Sequence, residues 1–101
     1  MIRTVTVLQD DIDNGEMGVH DECPIARAIR RDMMADWSSV GPLCLYYHDG
    51  EGRYAAVTTH AILQFIHRFD VGQPVEPQKF EVDFLVTPIP RQTIDDLQKA
   101  W

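Results

Sequence analysis

The chain is poor in positive charge: nine lysines and arginines stand against sixteen aspartates and glutamates, for a formal net charge of -7. Contacts to nucleic-acid phosphates draw on a basic face, so direct nucleic-acid binding is not expected. No apolar run approaches the roughly 20 residues that cross a bilayer, so no membrane partner is expected either. The start, MIRTVTVLQDD, has neither the apolar block nor the small-residue cleavage site of a signal peptide. A cytoplasmic protein is therefore expected. The presence of only two cysteines, Cys23 and Cys44, fits reduced thiols better than a disulfide framework. Repeats, low-complexity blocks and linkers are missing, so the 101 residues are expected to form one domain.

What the chain does have is periodicity. Arg3 to Leu8, RTVTVL, alternates with β-branched residues and reads as a strand with Val5 and Val7 on one face. In QDDIDNG, Asp10 is suited to cap a single helical turn, with Gly15 ending it at positive φ. A helix over Pro24 to Asp36 follows, with proline in the first turn, where its missing N–H loses no partner. Ile25, Ala28, Ile29 and Met33 space out its buried stripe, and Arg27, Arg30 and Arg31 form a basic face away from it. LCLYYH and YAAVT read as strands joined by the glycine-bearing hairpin DGEGR. Thr59 caps a second helix with a stripe of Ile62, Phe65, Ile66 and Phe69, closed by Gly72. Phe80, Val82, Phe84 and Val86 alternate with Glu81 and Asp83 as a half-buried strand. Thr93 then caps a short final helix over IDDLQKAW, with Asp95 and Asp96 near its positive end. The order β-α-β-β-α-β is that of an α+β, ferredoxin-like sandwich: a four-stranded antiparallel sheet with two helices on one face, plus the terminal helix.

Several residues have the types that carry chemistry. His20-x-x-Cys23 and Cys44-x-x-x-His48 are two zinc-type ligand pairs. On a regular strand, however, Cys44 and His48 stand about 13 Å apart, too far for one ion, and no glycine knuckle flanks either pair. No metal and no other cofactor is expected. DDIDNGEMGVHD, from Asp10 to Asp21, has the length of an EF-hand loop and Gly15 at its sixth place. Ile12 stands where an oxygen ligand belongs and Asp21 where a bidentate Glu belongs, which excludes that reading. Cys23 at a helix start, three residues from His20, is a candidate thiolate nucleophile. No oxyanion-binding motif accompanies it, so a structural cap is the expected role and no catalytic residue is assigned. RNA-recognition modules share the ferredoxin-like order, but they stack bases on strand aromatics within a basic surround. YAAVTT offers one aromatic, and Tyr46 and Tyr47 point to opposite faces.

Acid is concentrated early: Asp10, Asp11, Asp13, Glu16, Asp21 and Glu22 have no base among them. Two readings stand at this point: a solvated face, as charge clusters in loops usually are, or, together with Asp49 and Glu51 of the hairpin, a negative edge that docks on lysine- and arginine-rich surfaces with fast, salt-sensitive association.

TVTVLQDDIDNG followed by CPIARAI, spanning residues 4 to 29, resembles a segment of small uncharacterised proteins of phages, prophages and actinobacterial genomes. That resemblance implies a compact accessory protein of a mobile element. In size, acidity and lack of catalytic motifs the chain is also similar in class to anti-CRISPR and other anti-defence inhibitors. The expected function is therefore non-enzymatic: binding and inhibiting a host nucleic-acid-handling complex with a basic surface. The alternatives are a structural protein that homo-oligomerises through its sheet, and a zinc- or thiol-dependent small protein. Monomer and homodimer both remain open at this point.

Overall fold

The computed structural model describes residues 1–85. Val86 and the expected Thr93-capped final helix lie outside the described residues. The elements run β1 (Ile2–Val7), α1 (Gln9–Asn14), α2 (Pro24–Asp32), β2 (Trp37–Val40), β3 (Cys44–His48), β4 (Arg53–Val57), α3 (His60–Asp70) and β5 (Gln78–Asp83). The fold is α+β, with five strands in two antiparallel sheets among the described residues.

Periodicity places most of these elements. Val5 and Val7 on β1, and Phe80 and Val82 on β5, are buried, while Glu81 and Asp83 face out. The two strands pair antiparallel, Val5 opposite Phe80 and Arg3 opposite Val82. On α2, Ile25, Ala28 and Ile29 are buried, and so is Met33 at its C-cap, as their spacing predicts. Thr59 caps α3 through its side chain, which accepts the Ile62 amide N–H at 3.3 Å. Phe65 of α3 meets Phe80 of β5 edge-on, with ring centroids 5.6 Å apart. Gly72, at φ +79°, takes the left-handed conformation that stops α3.

Three features differ from the sequence expectation. First, α2 ends at Asp32, and Met34 turns the chain at φ 52°. The residues that follow form an additional strand, β2, paired with β3. Its Ser38 and Ser39 are both buried, and Ser38 Oγ donates to the Ala26 carbonyl of α2 at 2.6 Å. A small polar residue fits at Ser38 because β2 presses directly on the helix there.

Second, the strands do not assemble as the four-stranded ferredoxin-like sheet. In that fold the first strand is central. Here, among the described residues, β1 pairs with β5 alone, and β2, β3 and β4 form a separate meander. The free edge of β4 is met by the residue just past β5, Leu85, whose N–H donates to the Ala55 carbonyl at 2.7 Å. The place that β1 would occupy is thereby taken.

Third, α1 starts at Gln9 with Leu8 as its N-cap, so Asp10 lies within the first turn instead of capping it, and Gly15 has an ordinary φ of -70°. Gly15 is needed for space instead: a Cβ there would lie 2.8 Å from the Asp11 carbonyl oxygen and from the Pro24 ring. Gly15 is where α1 and the start of α2 touch.

Most of the core lies between the sheets and the helices, from Val5 and Val7 through Ile25, Ile29, Leu45 and Tyr47 to Phe80 and Phe84. A smaller cluster of Tyr46, Ala55, Trp37 and Cys44 sits on the opposite face of the β2–β4 sheet. Tyr46 and Tyr47 thus point to opposite faces, as strand alternation requires. Among the described residues, no helix is long and apolar enough to cross a membrane.

Candidate functional site

Cys23 is the N-cap of α2 and is 3% exposed. Its sulfur accepts the Ala26 N–H at 3.4 Å, and its thiol donates to the His20 carbonyl at 4.0 Å. The second contact suits a neutral thiol, because a carbonyl oxygen facing the sulfur repels a thiolate. Burial pushes the thiol up to about 11, and the nearby Asp70 charge acts in the same direction against the amides of Ala26 and Ile25. At neutral pH the sulfur is protonated, and a protonated thiol is a poor nucleophile. The cap that sequence reading expects is the role the geometry fits.

The second metal-type pair lies elsewhere. Cys44 opens β3 and packs in the outer cluster, while His48 closes the same strand and stacks on Trp37, with centroids 5.5 Å apart. Cys23 belongs to the inner core. The sheet therefore stands between the two cysteines, and the four candidate ligands His20, Cys23, Cys44 and His48 do not converge. Among the described residues, no group of three or more His, Cys, Asp or Glu side chains is placed to hold a metal ion.

What accompanies His20 and Cys23 instead is a pair of residues from α3. His67 and Asp70 join them around a cavity of about 360 Å³, together with Gly18, Val19, Val40, Gly41, Pro42, Leu63 and Ile66. Asp70 holds the loop in place by accepting the Gly18 N–H at 2.9 Å. The His20 carbonyl fixes the same loop to β2 by accepting the Val40 N–H at 2.9 Å. Sequence reading found the first pair and missed the second. The available signal was an aspartate in the last turn of a helix, where the carbonyl end disfavours negative charge.

The eight acidic candidates separate into two kinds. Asp11 is 2% exposed. It accepts the Leu8 N–H at 2.9 Å, tying down the start of α1, and both of its oxygens lie 2.8 Å from Arg31 Nη1. Asp11 is thus a structural residue, which corrects its place in a binding edge. Glu22 is held by Arg30 at 3.2 Å and Arg27 at 3.7 Å, and the Asp21 carbonyl accepts from Arg30. Asp49 shapes the hairpin by accepting the Glu51 and Gly52 amides at 2.8 and 3.0 Å. The acidic run holds no base of its own, yet the arginine face of α2 folds back upon it.

Asp10, Asp13 and Glu16 are exposed and form no ion pair among the described residues. Asn14 and Gln9 position the first two through amide hydrogen bonds of 3.0 and 2.9 Å. These neutral donors orient the carboxylates without cancelling their charge. Glu51 stands exposed at the hairpin tip.

Comparison with protein-family models, with curated proteins and with solved structures finds no match to this chain.

Proposed function

We propose that the protein is a non-catalytic binding domain that docks an acidic edge, centred on Asp10, Asp13 and Glu16, onto a basic surface of a partner protein or ribonucleoprotein. The observation that carries this reading is the sorting of the acids. All three arginines of α2 are engaged with Glu22, Asp11, Asp32 or nearby carbonyls. Among the carboxylates left without a counter-ion in the described residues, Asp10, Asp13 and Glu16 sit together on and just after α1. Such a patch accelerates encounter with a basic partner and makes binding salt-sensitive. The buried, neutral Cys23 supports a non-enzymatic reading. The partner class follows the resemblance to phage proteins: a host nucleic-acid-handling defence complex whose basic groove the acidic edge would cover.

Assembly through a sheet edge has less behind it. The outward N–H and C=O of Thr6 on β1 are already taken by Asp32, at 2.7 Å, and by Arg31. A second strand adding to that edge would have to displace them.

A pull-down from host lysate tests the proposal, comparing the native chain with the triple variant Asp10→Lys, Asp13→Lys, Glu16→Lys. A basic nuclease or ribonucleoprotein complex should be retained by the native chain at low salt, released as salt rises, and not retained by the variant. Equal retention by both proteins removes the acidic-edge mechanism.

A further inference from the structure

The cavity between the start of α2, the loop at Gly18–His20 and the last turns of α3 has an interior unlike its mouth. Val40, Pro42, Leu63 and Ile66 make the walls apolar, and the Cys23 thiol lines the interior as a neutral group. His20, His67 and Asp70 line the same cavity and are exposed, so they stand at its opening.

Asp70 is the only charged side chain among the described lining residues. One of its oxygens accepts the Gly18 N–H; the other has no partner among the described residues. It is also the last residue of α3, so its charge adds to the partial negative charge of the helix's carbonyl end. The opposite pole of α2 does little to offset this. Pro24 has no N–H, the Ile25 and Ala26 amides face the Cys23 sulfur, and the Arg27 N–H is taken by the Cys23 carbonyl. The mouth is therefore electronegative while the walls are oily.

That combination suits a cation carried on an apolar stem. An anion is opposed by Asp70, and a bare metal ion finds no set of three ligands among the described residues. A guanidinium fits better than an ammonium, because it is weakly hydrated and offers a planar fork of donors to a carboxylate oxygen and to imidazole nitrogen. Its aliphatic stem covers apolar wall while its head stays at the rim. We propose that the cavity is the socket for a single arginine side chain of the partner. This rests on the reading of the protein as a binder of basic surfaces, and it supplies a specific anchor where the α1 edge supplies long-range attraction.

The test uses the full chain, labelled with nitrogen-15, and two small probes: N-acetyl-arginine methylamide, and the uncharged N-acetyl-norleucine methylamide. Saturable shifts of the Gly18, Val19 and Gly41 amides are expected with the arginine probe, in the millimolar range usual for so small a ligand. Binding should weaken about tenfold or more with the norleucine probe, and by a similar factor in Asp70→Asn, as loss of one charged contact implies. Asparagine keeps the oxygen that accepts from Gly18. Should that variant not fold, the comparison of probes on the native chain decides alone. Equal binding of the two probes, or no shift at those amides, overturns the socket. If the socket fails while the α1 triple variant still loses the partner, the binding function stands. If the probe binds but the triple variant keeps the partner, the edge is lost and the socket remains.

Discussion

Replacing Asp11 by asparagine tests whether the acidic run really divides into structural and displayed carboxylates. The side chain keeps its shape, so any effect comes from charge and hydrogen bonding. In the native chain the buried carboxylate accepts from the Leu8 amide and from Arg31 Nη1 on both oxygens. Asparagine keeps one acceptor and turns an NH2 group toward the guanidinium, which has only donors to offer. Hydrogen bonds to charged partners contribute about 1.5–3 kcal/mol. Arg31 is 39% exposed, so solvent screens part of this, and a loss of about 2 kcal/mol is expected. For a domain near this size that lowers Tm by about 8–16 °C. Asp10→Asn is the control, because it removes the same unit of charge from the same helix. Asp10 is exposed and contacts only the Asn14 amide, so its change should stay within about 0.5 kcal/mol. Thermal and urea unfolding followed by circular dichroism measure both. If Asp11→Asn melts within a degree or two of Asp10→Asn, the separation of roles is wrong.

Two further predictions concern stability. The Cys23 thiol is raised by burial to about 11 from an ordinary 9.0, so between these values the unfolded chain has lost a proton that the folded chain keeps. This contribution to stability is fully present below pH 9 and is lost as pH rises to about 11, a fall of about 3 kcal/mol. Urea unfolding of the native chain and Cys23→Ala at pH 8 and pH 11 should show the steeper alkaline decline in the native chain; equal declines refute it. Gly15→Ala should cost about 1–3 kcal/mol, because its Cβ meets backbone and a proline ring at 2.8 Å. Gly50→Ala, with open space around it, should be nearly neutral, and matching melts for the two variants would show that α1 and α2 do not meet at Gly15.

The elements legible in the sequence are those where burial imposes a period. The valines of β1, the phenylalanines and valine at β5, and the isoleucines of α2 repeat at spacings that only one face of one element satisfies. β2 escaped because Trp37-Ser38-Ser39-Val40 shows no alternation: both serines are buried, one of them by hydrogen bonding to α2. The early end of α2 was hidden because Met34 adopts positive φ, a position that glycine usually marks. Strand order is a long-range property, and nothing local in β1 says whether it lies at a centre or an edge. For the same reason half of the cavity was legible. His20 and Cys23 are neighbours in the chain, whereas His67 and Asp70 reach them only when α3 folds across the loop. The pairing of Cys44 and His48 with them fails because alternation sends both to the far side of the sheet from Cys23.

The distribution of charge argues for display over mere solubility. Acids that serve the fold have partners: Asp11 and Asp32 grip Arg31, Glu22 grips Arg27 and Arg30, and Asp83 meets the N-terminal amine at 2.9 Å. A surface shaped only for solubility gains nothing from setting carboxylates where they are locally unfavourable. Asp70 stands at the carbonyl end of α3, and Asp13 lies one turn beyond Asp10 with no base beside it, so both raise local repulsion in the isolated chain. Such costs are relieved when positive charge arrives from outside. The α2 helix makes this possible twice over: its arginines neutralise the acids that must be internal, and its Cys23 cap keeps the cavity interior uncharged. A partner carrying one protruding arginine on a basic surface would relieve both sets of repulsions in a single docking geometry.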